Sequence, residues 1–189
     1  MKVNRTTITD VKEFQVNDVI SLTLNDGKEA HAIAVKREAD GMLFCLVDCL
    51  KDELPMNEEN SNRGGYDASD LRVKLNGEIL DRFPADLKAL MLPFANGDLL
   101  RLPTEKEIFG ENPYGKKEDE SVEQWQPMKQ RRNRIAFQGD NGDLEWYWLQ
   151  NKMRNSASDF AYVNAYGFAD AYAAYSSLGV RPAFKIRNL

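Results

Sequence analysis

The chain has 189 residues, 42% hydrophobic and 29% charged, and its 25 Lys and Arg against 30 Asp and Glu give a net charge of −5. This is the composition of a globular chain long enough for one substantial domain, and its acidic balance argues against a dedicated nucleic-acid binder, which needs a cationic surface to neutralise phosphates. No run approaches the ~20 apolar residues of a membrane helix, and the first ten residues lack the continuous apolar core of a signal peptide.

Residues 14–50 read as an antiparallel β meander. Val16, Val19, Ile20, Leu22 and Leu24 lead into the turn Asn25-Asp-Gly27, residues 30–35 make a second strand, Ala39-Asp-Gly41 turns, and residues 42–50 make a third. His31, the single histidine, falls mid-strand and reads as a half-buried strand residue; no Ser or Cys nucleophile has a sequence context to pair with it. Cys45 and Cys49 lie four residues apart. In a strand their Cα atoms would be ~13 Å apart, too far for a disulfide, so they read as buried thiols acting as small hydrophobes and suited to a reducing compartment.

Residues 51–68 are polar and read as a loop. Ser69 then caps a helix whose Leu71, Leu75, Ile79 and Phe83 form one apolar stripe, stopped by Pro84. A second helix is predicted over 85–92 and a short strand over 99–102. Thr104-Glu-Lys-Glu107 is a capping box, predicting a helix over 105–109 ended by Gly110. Residues 111–135 are highly charged, with a helix expected over 121–126 and cut by Pro127. Here Lys129, Arg131, Arg132 and Arg134 read as a solvated face balancing Glu118 to Glu123. Gly139-Asp-Asn-Gly142 is a hairpin turn, and the oxygen-rich Asp140, Asn141, Asp143 and Glu145 belong to it rather than to a metal site. Three strands follow, centred on Trp148, Tyr162 and Phe184. Strands, then helices, then strands predict an α+β fold of antiparallel strands with two or three short helices. It is read as one domain over 1–189, the meander at 14–50 leading into a core at 66–187.

Five motifs now stand in order: Tyr66-Asp-Ala-Ser-Asp-Leu-Arg-Val-Lys-Leu-Asn76, Leu100-Arg-Leu-Pro-Thr-Glu-Lys-Glu107, Tyr147-Trp-Leu-Gln150, Ala161-Tyr-Val-Asn-Ala-Tyr-Gly167 and Gly179-Val-Arg-Pro-Ala-Phe184. Together they resemble a bacterial and prophage-associated domain family of unknown function, related to the C-type-lectin-like fold of formylglycine-generating enzymes and phage variable tropism proteins. The resemblance implies that fold over roughly residues 14–187, with its end strands, 16–24 and 180–186, in one sheet, and a phage or prophage setting; with no evident signal peptide, the expected location is the cytoplasm or, if phage encoded, the virion. Where the family tends to have Arg-Ser-Pro, this chain has Gln150, Asn151 and Lys152. The formylglycine-generating relatives use cysteines in the C-terminal half, and none follows Cys49 here, so that activity is not carried over.

Val180, Pro182, Phe184 and Ile186 alternate as one core face, and Ala161 and Val163 as another, which turns Arg181 away. Arg181 and Trp148 are read as structural, the Arg181 guanidinium clamping a carboxylate or backbone carbonyls. The segment 156–177 holds seven Ala, four Tyr, four Ser, two Phe and no Lys or Arg. It reads either as a packed loop whose tyrosines cover the core or as a ligand-facing surface, since Tyr among small residues is the composition of binding loops. In the tropism relatives the displayed residues precede the Gly-x-Arg strand, which implies Tyr166, Phe168, Asp170, Tyr172 and Tyr175 as ligand-binding. The expected function is a non-enzymatic ligand- or receptor-binding module for a protein or glycan, with no nucleic-acid or membrane partner. No cofactor, metal or catalytic residue is assigned. The alternatives are a structural or assembly protein with a Tyr-rich oligomer interface, and a divergent, inactive enzyme of the formylglycine-generating type.

Overall fold

The computed structural model describes residues 14–139 and 142–187. The meander forms as β1 (Val19–Thr23), β2 (Glu29–Arg37) and β3 (Gly41–Leu46). Asn25 and Asp26 make the first turn and Gly27, at φ 80°, closes it in the left-handed region that favours glycine. The third strand ends at Leu46, short of the predicted residue 50, because Val47 and Cys49 turn their N–H groups to the carbonyls of His31 and Phe137. A short β4 (Glu53–Pro55) follows.

The Ser69 hydroxyl accepts the Arg72 N–H at 3.2 Å and starts α1 (Asp70–Lys74). The chain widens into a π turn over Leu75–Ile79, where Gly77 leaves helical geometry, and tightens into a 3₁₀ turn over Leu80–Arg82. Despite that change of pitch, Leu71, Leu75, Ile79 and Phe83 all stay buried. Pro84 starts α2 (Ala85–Leu90). The predicted last two residues of this helix instead form β5 (Met91–Leu92), because Met91 and Leu92 reach an open strand edge. The strand predicted at 99–102 shrinks to one bridge, Arg101 to Ala183. Here the Asn76 side chain takes over the ladder's role: its Oδ1 accepts from Leu99 and Leu100, and its Nδ2 donates to the Leu100 carbonyl at 2.9 Å.

The Thr104 capping box forms as predicted and starts α3 (Glu105–Phe109), which ends at Gly110 with φ 81°. Glu105 is buried, and its carboxylate accepts the N–H groups of Tyr114 and Gly115. The helix predicted at 121–126 is absent. Buried Trp125 instead donates its backbone N–H to the Glu107 carbonyl, and 3₁₀ turns follow at Gln126–Lys129 and Arg131–Arg134. Pro127, with no N–H to give a helix, sits at the start of the first turn. Strand β6 (Ala136–Phe137) pairs antiparallel with β7 (Leu144–Glu145), on either side of the hairpin turn expected at 139–142. Asp140 and Asn141 of that expected turn lie outside the described residues. Then come β8 (Tyr147–Lys152), β9 (Asp159–Val163), β10 (Ala169–Ala173), β11 (Ser177–Gly179) and β12 (Ala183–Arg187).

The order β1-β2-β3-β12-β5 makes one antiparallel sheet, so both end strands share it with β2 and β3 between them. The order β10-β9-β8-β11-β4 makes the second, antiparallel except between β8 and β11. The fold is α+β, with mostly antiparallel strands and three short α-helices among the described residues. Both sheets bury both faces at their centres. The larger core holds Phe44, Phe83, Phe184, Trp148 and Phe160; the smaller holds Leu43, Cys45, Cys49, Trp125, Tyr147, Leu149 and Ala161. Each strand's alternation feeds both, so Phe184 and Ala183 go to opposite cores. The two thiols are free, and burial pushes Cys45 up to about 11 and Cys49 well above the usual thiol range.

Candidate functional site

The segment at 156–177 is a hairpin rather than an irregular loop. Strand β9 pairs with β10 so that Tyr162 stands opposite Asp170 and Phe160 opposite Tyr172, while Ala161 and Val163 face Ala171 and Ala169. The small residues let the two strands lie close over the smaller core, and the large ones share the opposite face. Asn164 builds the turn. Its side-chain oxygen accepts the N–H groups of Tyr166 and Phe168, and Gly167 supplies the left-handed residue at φ 75°. The base is pinned by Asn62, which donates to the carbonyls of Ser156 and Asp159.

The five residues implied as ligand-binding separate along this hairpin. Tyr166 and Phe168, 68% and 53% exposed, occupy the tip. Tyr172, 46% exposed, lies mid-strand beside half-buried Asp170, and Tyr175, 56% exposed, lies in the turn between β10 and β11. Five strand residues at ~3.4 Å each place Tyr175 roughly 17 Å from the tip, so one small ligand does not span them all.

A sixth aromatic residue completes the middle group. Trp146 is 40% exposed and stacks on buried Tyr162 at 5.4 Å, and Tyr172 stands edge-on to both at 6.3 and 6.1 Å. Sequence reasoning missed Trp146 because Trp148, two residues on, is buried with its indole N–H on the Leu54 carbonyl. Their shared strand parity suggests one fate for both, but Trp146 lies just before β8 and keeps an open face beside the Tyr162 and Tyr172 rings.

Asp170 is engaged within the hairpin. One carboxylate oxygen accepts the Tyr162 hydroxyl at 3.2 Å, the other the Ala171 N–H at 2.8 Å. Even-numbered residues of β10 bond to β9, so the Ala171 N–H lies on the outer edge of the sheet, and Asp170 covers it. Burial, with Asp170 beside it, pushes the Tyr162 phenol up to about 12.

Arg181 is fully buried and donates to the carbonyls of Leu46 and Asn133 and to the Tyr147 hydroxyl, at 2.8, 3.0 and 2.9 Å. The Tyr147 hydroxyl in turn donates to the Arg134 carbonyl at 2.9 Å. This relay fixes residues 131–134 beside the hairpin. From there Arg131 reaches over: its guanidinium lies 5.0 Å from the Phe168 ring, and one N–H donates to the Tyr166 carbonyl at 3.2 Å. Where the resembled family has an arginine, Gln150 donates to the Leu102 carbonyl at 2.5 Å. Asn151 accepts the Glu105 N–H at 2.7 Å and so caps α3.

His31 is exposed, not half-buried, because β2 ends its burial on the Ala32 and Ala34 side. It lines a cleft of about 390 Å³ with Leu50, Lys51, Arg82 and Gln138. Glu145 lies across Gly179, whose added Cβ would stand 2.5 Å from the Glu145 Cγ; Glu53 is paired with the same glycine. Among the described residues no group of three or more His, Cys, Asp or Glu is placed to hold a metal ion, and no helix is long and apolar enough to cross a membrane.

Residues 98–188 match the sequence model of a family described as a domain of unknown function, DUF6273. The match contains the whole aromatic hairpin, Trp146, the Arg131 segment and Arg181; the meander, α1 and the Tyr66–Asn76 motif precede it. No curated protein and no solved structure matches the chain.

Proposed function

We propose that this chain is a non-enzymatic binding module of the C-type-lectin-like kind, phage or prophage encoded, which presents its β9–β10 hairpin and Trp146 to a protein or glycan ligand. The observation that carries the reading is exposure. Trp146, Tyr166, Phe168, Tyr172 and Tyr175 are each at least 40% open to solvent although they lie within thirty residues of one another in sequence. Isolated exposed apolar residues are ordinary, but a rigid hairpin that repeatedly places aromatic rings outward is what an interaction surface requires. Tyrosine gives large contact area at low entropic cost, and the alanines between leave room for a partner. The motif order that resembles the lectin-like families supports the same reading.

The test combines stability with binding. Urea melts of Tyr166→Ala and Tyr175→Ala should show losses within about 0.5 kcal/mol. Tyr172→Ala should lose up to about 1.5 kcal/mol, because its ring packs edge-on to two others. On a glycan array and a displayed peptide library, the wild-type chain should retain ligands that Trp146→Ala and Tyr172→Ala lose. Losses near 3 kcal/mol or more at all three tyrosines would make the hairpin a cover for the core and remove the binding reading. A dimer in light scattering, dissolved by the same variants, would make this surface an oligomer contact instead.

A further inference from the structure

We propose that the tip of the hairpin, where Tyr166 and Phe168 meet the segment carrying Lys129, Arg131 and Arg132, docks a short acidic, aromatic-bearing polypeptide segment of a partner protein. This names the partner's chemistry and rests on the binding-module reading above.

Charge is the first argument. In a chain of net charge −5, residues 124–139 contain no Asp or Glu and yet hold Lys129, Arg131, Arg132 and Arg134. Lys129, Arg131 and Arg132 are exposed, and none forms an ion pair with a described residue, whereas Arg72, Arg82, Arg101, Lys106 and Lys185 all do. The acidic run at Glu118 to Glu123 does not neutralise them: its closest ion pairs go to Lys106 and Lys117. The expectation of a charge-balanced face at 118–134 therefore does not match the pairing seen. Half-buried Arg134 is lowered below the ordinary arginine value, chiefly by burial and to a smaller degree by the charge of Arg131.

Preorganisation is the second argument. The segment is tied down from below by the Arg181 bond to the Asn133 carbonyl, the Tyr147 bond to the Arg134 carbonyl, the Asn133 side chain on the Pro127 carbonyl, and buried Met128. Gly167 seats the tip against it: an added Cβ there would stand 3.0 Å from the Arg131 carbonyl oxygen. Arg131 uses one N–H on the Tyr166 carbonyl and sets its guanidinium carbon 5.0 Å from the Phe168 ring centre, which leaves the remaining donors of its fork for a ligand. Little ordering is then left for binding to impose.

The third argument selects the partner. Guanidinium groups take carboxylates through two parallel N–H bonds, and the neighbouring Tyr166 ring offers an open face to an aromatic or apolar side chain. A long polyanion fits poorly. Only three exposed cations are available, and Glu118, Asp119, Glu120 and Glu123 lie just upstream in the chain to repel a continuing row of phosphates or sulfates. A short acidic run on a polypeptide matches the size of the patch.

The experiment uses fluorescence anisotropy with the full chain and four labelled probes. They are a peptide of about 12 residues rich in Glu and bearing two aromatic residues, its Lys counterpart, oligothymidylate and a heparin oligosaccharide. The acidic peptide should bind best. The double variant R131E/R132E should weaken it roughly tenfold or more, and sodium chloride near 0.5 M should abolish it. If that variant melts early, Lys129→Ala and Arg132→Ala, whose side chains make no hydrogen bond or ion pair with a described residue, replace it and should each weaken binding. The proposal is overturned by tighter binding of oligothymidylate or heparin, by acidic-peptide binding that survives the charge changes, or by none at all. A ligand held through Trp146 and Tyr172 but indifferent to R131E/R132E would also overturn this partner class while leaving the binding-module reading in place.

Discussion

At the scale of single residues, Arg181 and Glu145 show opposite uses of a buried or half-buried charge. Arg181 is enclosed, yet its donors meet two carbonyls and a hydroxyl from three separate parts of the chain. Arg181→Met keeps much of the volume but orphans the Leu46 and Asn133 carbonyls. The expected loss is about 3 kcal/mol or more by urea denaturation, and a loss below 1 kcal/mol would show that the clamp is dispensable. Glu145 has no cation beside it among the described residues. Burial first, and Glu53 next to it, push its carboxyl from 4.5 up to about 7. A carboxyl raised on folding binds its proton more tightly in the native state. Its contribution is therefore fully present below about pH 4.5 and lost as pH rises through about 7. The side chain is partly open to solvent, so screening holds the expected effect to about 1 kcal/mol. Unfolding midpoints measured from pH 4.5 to 8 should fall across this window in the wild type and flatten in Glu145→Gln. Equal slopes in the two proteins would refute the assignment.

At the scale of elements, side chains rather than ladders join several pieces. Asn76 sits where the helix widens and supplies both donor and acceptor to Leu99 and Leu100, holding a segment with strand-like residues whose ladder is reduced to the Arg101–Ala183 bridge. Removing that side chain leaves two backbone N–H groups and a carbonyl short of partners. Asn76→Ala should cost about 2–3 kcal/mol, and hydrogen exchange at Leu99 and Leu100 should quicken most. Unchanged exchange there would mean that other contacts hold the segment. The same logic explains the missing helix at 121–126. Its residues bond elsewhere: Ser121 and Val122 donate their N–H groups to the side chain and carbonyl of Asp119, the Trp125 N–H goes to the Glu107 carbonyl and the Gln124 amide to the Ile108 carbonyl, and the Trp125 ring is buried. A helical stretch would have to give up those bonds and re-aim that ring.

At the scale of the whole molecule, the chain's end is central to its architecture. Strand β12 lies between β3 and β5, stacks Phe184 on Phe44, and sends residues into both cores. A fragment ending at Leu178 removes Phe184 and Ile186, at ~2–5 kcal/mol each, and opens two strand edges. That approaches the whole stability of a domain this size, so the fragment should show no cooperative melt. A soluble 1–178 chain with a sharp transition would contradict this placement.

The parts legible in the sequence are those whose cause is local. The Ser69 and Thr104 caps, the Leu71 to Phe83 stripe, the turn at Gly27 and the alternation of the end strand each need only neighbours within a few residues, so periodicity and capping chemistry determined them. The Tyr-rich composition likewise marked 156–177 as unusual. Its hairpin was not legible, because alanine-rich strands carry no β signal until a partner strand and a core lie beneath them. Nor was the role of Trp146 or Asp170, since parity along a strand says which face a residue takes and only the neighbouring elements decide whether that face is covered. Arg131 makes the same point from the opposite direction. Charge patterning marks it as a solvated residue balancing Glu118 to Glu123, but bonds to Asn133 and Arg134 from Arg181 and Tyr147 bring it onto Phe168, with no ion pair to any described residue. Long-range packing, which no window of sequence contains, made that surface.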